Sequence, residues 1–337
     1  VPGKKFMIIT TTSVSKSEQL LEKPVHYGDV IARLELAVSS EYSQKAVERM
    51  ARLDAALGFI SKKIDIILVC GSNGKSLAIN FASKLFKEEG VVAGECYSSH
   101  VLSYNERLCV NQHAVNNKVF AEAAHTVLQV CDQEGIQATS FEVTTMAALM
   151  YFVKERLSVA LVEVANGGSL DATAAFDPKL VAITRVAQDM PDVLGSNLDA
   201  VASEMVQLAR AGTWVISAEQ SKLRLQKMKE CAEANNINWA MPLRKLSSLP
   251  YVYEQLYGRT ASLGERIAQL YFEKIKNTYS PLLHGSGVAV RQGQRGRPTL
   301  EAKRQALLNP AKTLKGFWSE NFGLLRGRFE LLDKEKP

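Results

Sequence analysis

Apolar positions change period along this chain. Val47, Met50, Leu53 and Leu57 recur at helical spacing, and Gly58 follows as a stop. Residues 15–24 and 28–38 carry two shorter, polar-faced helical patterns. From Ile64 the pattern becomes an apolar run, IDIILVC, rich in β-branched residues, which predicts a strand buried on both faces. Helical periodicity resumes from Leu77 to Lys87 before Gly90, and VVAGECY (91–97) predicts the next strand. Residues 117–134 and 140–155 predict two helices, the first with Phe120, Ala123, Ala124, Val127 and Val130 on one face. SVALVEVA (158–165) and KLVAIT (179–184) read as buried strands, 197–210 as a helix, TWVIS (213–217) as a strand and 219–234 as a charged amphipathic helix. Strands alternating with helices at this spacing predict an α/β fold with a mostly parallel sheet and helices on both faces.

The character changes after about residue 243. Residues 285–310 are rich in Gly, Arg, Gln and Lys, and the chain ends in an apolar cluster, GFWSENFGLLRGRFELL, with a charged tail. The reading is therefore an extension at 1–27, a core at 28–243 and a C-terminal part of that core at 244–337. The basic stretch 285–310 and the C-terminal edge are candidate docking points for a macromolecular partner.

Composition narrows the class. The chain has 337 residues, 46% apolar and 23% charged, which excludes a disordered, collagenous or rod-like protein. No window approaches eighteen unbroken apolar residues, so no membrane-spanning helix is expected. The formal net charge of +6 suits an anionic ligand, while an aromatic content of 7% offers no platform for stacking bases. Five cysteines, Cys70, Cys96, Cys109, Cys131 and Cys231, form no Cys-x-x-Cys pair and are expected as buried free thiols in a reducing compartment. Residues 1–13 show neither a signal-peptide core nor an arginine-rich amphipathic helix. The expected location is the cytoplasm, with the mitochondrial matrix as the alternative.

Candidate chemistry concentrates where the period changes. The run into Cys70 passes directly to Gly71-Ser72-Asn73-Gly74-Lys75-Ser76 and then to a helix. Phosphate cradling needs glycines that let successive N–H groups turn inward, a helix N-terminus and a lysine for the outer phosphates; a hydroxyl beside the lysine suits magnesium. The common pattern would place its first glycine at Val69, so the short form G-x-x-G-K-S is what remains, and a purely structural glycine turn is the competing reading. In SVALVEVANGGSLDAT (158–173) a buried strand ends at Glu163 before a sharp Asn166-Gly167-Gly168 turn. A carboxylate at the carboxyl end of such a strand suits a magnesium ion, or serves as a structural acceptor. Tyr97-Ser98-Ser99-His100 follows another strand. His100 alone reads as a hydrogen-bonding histidine, and Glu106-Arg107 as a surface ion pair.

In order along the chain, these segments resemble the folylpolyglutamate synthase and dihydrofolate synthase family, relatives of the Mur ligases. GSNGKS resembles the family's GTNGKGS loop, YSSHVLSYNERLCVN its TSPH…ERI…N segment and TSFEVTTMAALMYF its helix beginning Phe-Glu. VALVEVANGGSLDAT resembles LEVGLGGRLDAT, and VAITRVAQDMPDVLG resembles ITNIGLDHxxxLG. GLLRGRFELL resembles the segment that leads into the family's second domain. The resemblance implies a P-loop NTPase-like core of the Mur-ligase central-domain type. It implies ATP and Mg as cofactors, and a folate or pteroate and glutamate as substrates. ATP would phosphorylate a carboxylate, and an amino group would attack the acyl phosphate. Gly71, Ser72, Asn73, Gly74, Lys75 and Ser76 would bind the nucleotide, with Lys75 gripping the phosphates. Ser76, Ser98 and Glu163 would contact the metal, with His100 nearby as a catalytic polar group.

The chain also departs from the family's pattern. Met190, after Asp189, stands where the family has a second-metal histidine, and Met205 where it has a usually carbamylated lysine. Thioethers are poor ligands for magnesium. Ser169 replaces the arginine of GGRLDAT, Ala174 an asparagine and Ser99 the proline of TSPH. No Asp-Gly-Ala-His-Asn-Pro segment occurs, so the family's second domain is not expected within these residues. Two readings follow: an amide ligase of folate metabolism impaired as given, or a ligase-derived structural or assembly component that keeps the fold. A nucleotide kinase explains GSNGKS but not the later matches.

Overall fold

The computed structural model describes residues 25–188, 191–240 and 251–277. Met190, the basic stretch 285–310, the C-terminal edge and the helix expected at 15–24 lie outside them. Among the described residues, eight strands form one sheet in the order β4-β3-β2-β5-β1-β6-β7-β8. These are β1 (Asp65–Cys70), β2 (Ala93–Cys96), β3 (Leu108–Val110), β4 (His113–Ala114), β5 (Val159–Glu163), β6 (Leu180–Ile183), β7 (Trp214–Ser217) and β8 (Asn238–Trp239). All neighbours are parallel except β2–β3 and β3–β4.

Side chains of β1 alternate between two cores. Ile66, Leu68 and Cys70 enter one apolar cluster, and Ile67 and Val69 the other. This is why the run carries no polar face: helices cover both sides. On the larger face lie α1 (Tyr27–Leu36), α2 (Gln44–Ala56), α4 (Asn117–Glu134), α5 (Ser140–Lys154), α7 (Leu198–Val206) and α8 (Lys222–Ala234). On the other, α3 (Lys75–Glu88) packs against α9 (Tyr251–Leu270), which continues into a π-helical turn at Tyr271–Ile275. A four-residue helix, α6 (Pro191–Leu194), precedes α7.

Two close approaches fix this packing. A Cβ at Gly264 of α9 would stand 2.6 Å from Phe81 Cβ on α3, and one at Gly94 of β2 would stand 2.5 Å from the Phe152 ring on α5. The four described buried thiols and half-buried Cys231 are all unpaired. Among the described residues no helix is long and apolar enough to cross a membrane.

The chain leaves β1 for β2 on one side of the sheet, β5 inserts between them, and β6 lies on β1's other side. The loops after β1, β5 and β6 therefore converge at the carboxyl edge, the position where such sheets bind ligands.

Candidate functional site

The loop after β1 turns where glycine is required. Gly71 has φ of 119° and Gly74 of 88°, conformations that L side chains rarely adopt. Gly71 also lies against the Thr184 side chain and its neighbouring backbone, so a Cβ has no room there. Gly74 is the N-cap of α3 and offers no side-chain acceptor. The first N–H groups of this helix are left for another acceptor, and the helix dipole favours an anion.

The loop is tied to the segment after β6. Ser72 N–H donates to the Arg185 carbonyl (2.8 Å), and Asn73 forms an antiparallel bridge with Arg185. Ser72 Oγ donates to the Ala187 carbonyl and accepts from the Ala187 N–H, each at 3.0 Å. Lys75 Nζ donates to the Gly71 carbonyl at 2.9 Å, so the ammonium lies folded over its own loop.

Ser76 and Glu163 come together. Both are 2% exposed, and Ser76 Oγ donates to Glu163 Oε2 at 2.8 Å. Glu163 is level with Val69 in the β1–β5 register, which brings this carboxylate beside the start of α3. A hydroxyl and a carboxylate are hard oxygen donors of the kind magnesium takes alongside phosphates and water. Among the described residues no group of three or more His, Cys, Asp or Glu side chains could hold a metal ion.

Ser98 and His100 lie after β2. Ser98 is half-buried and shares no hydrogen bond with Ser76. His100 Nδ1 accepts from Arg107 Nε at 2.9 Å, and its ring centroid lies 4.2 Å from that of Tyr104, the rings tilted by 38°. Burial, reinforced by the Arg107 charge, lowers the His100 pKa. The expected surface pair of Glu106 and Arg107 does not form. Glu106 instead accepts the backbone N–H groups of Val101, Leu102 and Ser103, each at 2.9 Å, closing a capping box with Ser103. Arg107 is 9% exposed and lies over the Tyr104 ring. The signal for this was the Ser-x-x-Glu spacing at 103–106, a capping motif rather than an ion pair.

The turn after β5 is closed by its own neighbours. Gly167 and Gly168 have φ of 79° and 90°. Buried Asp171 accepts the N–H groups of Asn166 (2.8 Å) and Thr173 (2.9 Å). Ser169 Oγ donates to Glu204 Oε2 at 2.6 Å. Tyr42 sits against the same carboxylate, and burial with that charge pushes its pKa up to about 12. Met205 is 2% exposed in the larger core, its methyl 3.4 Å from where a Gly167 Cβ would stand.

With this geometry in view, likeness to known proteins becomes informative. The Bacillus subtilis dihydrofolate synthase/folylpolyglutamate synthase is 27% identical over 212 residues, 61% of this chain and 48% of that protein. The chain is similar to curated dihydrofolate synthase/folylpolyglutamate synthases at 27–30% identity. It spans about half the length of the curated relatives it matches. Among solved structures, Escherichia coli FolC in complex with DHPP and ADP matches 65% of this chain and 51% of its own, with a TM-score of 0.58 at 24% identity. An FPGS–AMPPCP–folate complex matches 74% and 68%, with a TM-score of 0.66 at 20% identity. The fold is therefore that of these FolC and FPGS structures. No family model matches the chain.

Proposed function

We propose that this chain is the nucleotide-binding core of an ATP-dependent amide ligase of the folate–glutamate type. One observation carries the reading: the uncapped start of α3, Lys75 and the Ser76–Glu163 pair meet at the carboxyl edge between β1 and β5. Solved relatives in complex with ADP and AMPPCP support it.

The first-turn N–H groups of α3 would receive phosphate oxygens. Lys75 would exchange the Gly71 carbonyl for the outer phosphates. Ser76 and Glu163 would hold magnesium, with Ser98 as a further contact; the ion would neutralise phosphate charge. His100, fixed by Arg107, would present its other nitrogen to the substrate side as a donor. A folate or pteroate carboxylate and the amino group of glutamate are the proposed reactants. The test is magnesium-dependent ADP formation from ATP, a reduced folate or dihydropteroate, and glutamate. Turnover lost in Lys75→Ala supports the reading.

A second reading has its own observation. Met205 is packed into the core where the family carries a metal-bearing lysine, and Ser169 and Glu204 bond each other. A ligase-derived structural or assembly component would bind nucleotide without turnover. Nucleotide binding with no ADP formed under any substrate combination favours this second reading.

A further inference from the structure

We propose that Arg185 is a phosphate-contacting residue that supplements Lys75 at the nucleotide's outer phosphates. The inference rests on the nucleotide-binding reading above. In the segment VAITRVAQDM, Arg185 stands where the resembling ITNIGLDH has asparagine, so the chain carries a cation at a position neutral in that pattern.

Its backbone is fixed by the loop it would serve. The Arg185 carbonyl accepts the Ser72 N–H at 2.8 Å, and Arg185 bridges Asn73 in antiparallel fashion. Ser72 Oγ clamps Ala187 from both sides at 3.0 Å, and Thr184 N–H donates to the Cys70 carbonyl at 2.9 Å. The segment 184–187 is thus held on the phosphate loop at both ends.

Directly opposed residues of an antiparallel pair carry their Cβ atoms on one face, about 4.5–5.5 Å apart. Asn73 and Arg185 are both exposed. The guanidinium is therefore tethered on the solvent-open face of the loop, one residue before the Gly74 cap of α3. A structural role in the core is excluded by that exposure. A planar, permanently charged fork suits phosphate oxygens better than an ammonium does.

The experiment measures ATP and AMP binding by calorimetry for the parent chain, Arg185→Asn, Arg185→Lys and Lys75→Ala, with thermal melts as a fold check. The expected result is a loss of about tenfold in ATP affinity for Arg185→Asn, which is one decade of Kd. AMP affinity and the melting temperature stay at parent values, and Arg185→Lys recovers part of the loss. ATP affinity unchanged in Arg185→Asn but reduced in Lys75→Ala overturns this inference and leaves the nucleotide reading standing. Equal losses for ATP and AMP also overturn it, because the contact would not be to the outer phosphates. A parent chain that binds no ATP, or a Lys75→Ala chain that binds as the parent does, overturns both.

Discussion

Ser76 on the first turn of α3 donates to Glu163 at the end of β5, joining the phosphate loop's helix to the strand beside it at 2.8 Å. Both side chains are buried, so the carboxylate has lost most of its water. Removing a donor from a buried charged acceptor costs about 1–3 kcal/mol. Ser76→Ala is expected to lower the urea midpoint accordingly with an unchanged slope. An unchanged midpoint would mean that the pair contributes nothing to the fold.

Glu95 gives a pH signature. This carboxyl of β2 is fully buried and accepts from Ser83 Oγ and, at 3.0 Å, from the Gln112 N–H. Burial raises its pKa from 4.5 to about 7, against the pull of those donors and of Lys87. Between these two values the folded state holds the proton and the unfolded state releases it. Stability from this group is therefore greatest at low pH, falls as pH rises toward about 7, and then stays level. Glu95→Gln has no such proton to lose. From about pH 5 to about pH 8 the parent is expected to lose on the order of 1–3 kcal/mol relative to this variant. Parallel stability–pH curves for the two proteins would contradict the assignment.

Two ion pairs test burial against exposure. Arg49 donates to both carboxylate oxygens of Glu142 at 2.7 Å, and the Glu142 side chain is 0% exposed. Arg33 meets Asp132 at the same distance, but those side chains are 43% and 60% exposed. Breaking the first leaves a buried charge and is expected to cost about 3–5 kcal/mol, whereas an exposed pair contributes about 0–1 kcal/mol. Arg49→Ala and Arg33→Ala should differ by that margin in denaturant melts, and equal effects would be evidence against the contrast.

Gly264 seats α9 against α3. Alanine in place of glycine inside a helix gains about 1 kcal/mol. Here a Cβ would press Phe81 Cβ at 2.6 Å and Ala82 N at 3.0 Å, and overpacking costs about 1–3 kcal/mol. The clash is expected to win, so Gly264→Ala destabilises. Thr260, one turn earlier on α9, has its Oγ1 3.2 Å from where a Gly74 Cβ would stand. Displacing α9 should therefore also weaken nucleotide binding. A Gly264→Ala chain with a raised melting temperature would show that the helices separate without cost.

The central layer of this fold was legible because its strands are buried on both faces. β1, β5, β6 and β7 announce themselves as short apolar runs, and the glycine loop follows β1 at once. Several boundaries tightened by a few residues: the helix expected at 197–210 ends at Val206, and the one from 219 begins at Lys222. The antiparallel hairpin β3–β4 was not expected. Its turn uses Asn111 and Gln112, both with positive φ of 54° and 69°, instead of a glycine pair. Helix α9 was hidden in a region read only as a change of character, because its packing on α3 depends on Gly264, a residue that argues against a helix interior. At the site, the loop and Glu163 could be read locally, but their meeting depends on β5 inserting beside β1. Arg107 was misread because the Ser-x-x-Glu spacing at 103–106, which makes Glu106 a helix cap, was passed over.

Calorimetric titration of ATP in the presence of magnesium into the parent chain and Lys75→Ala tests the central claim most directly. Lys75 now donates to the Gly71 carbonyl at 2.9 Å and is free to exchange that bond for phosphate oxygens. Loss of a charge-assisted phosphate contact is expected to weaken ATP binding by about tenfold or more while the fold is retained. Saturable binding in the parent and binding weaker by about tenfold or more in the variant is the predicted result. Absence of binding in the parent, or equal affinity in both, would contradict a nucleotide site at this loop.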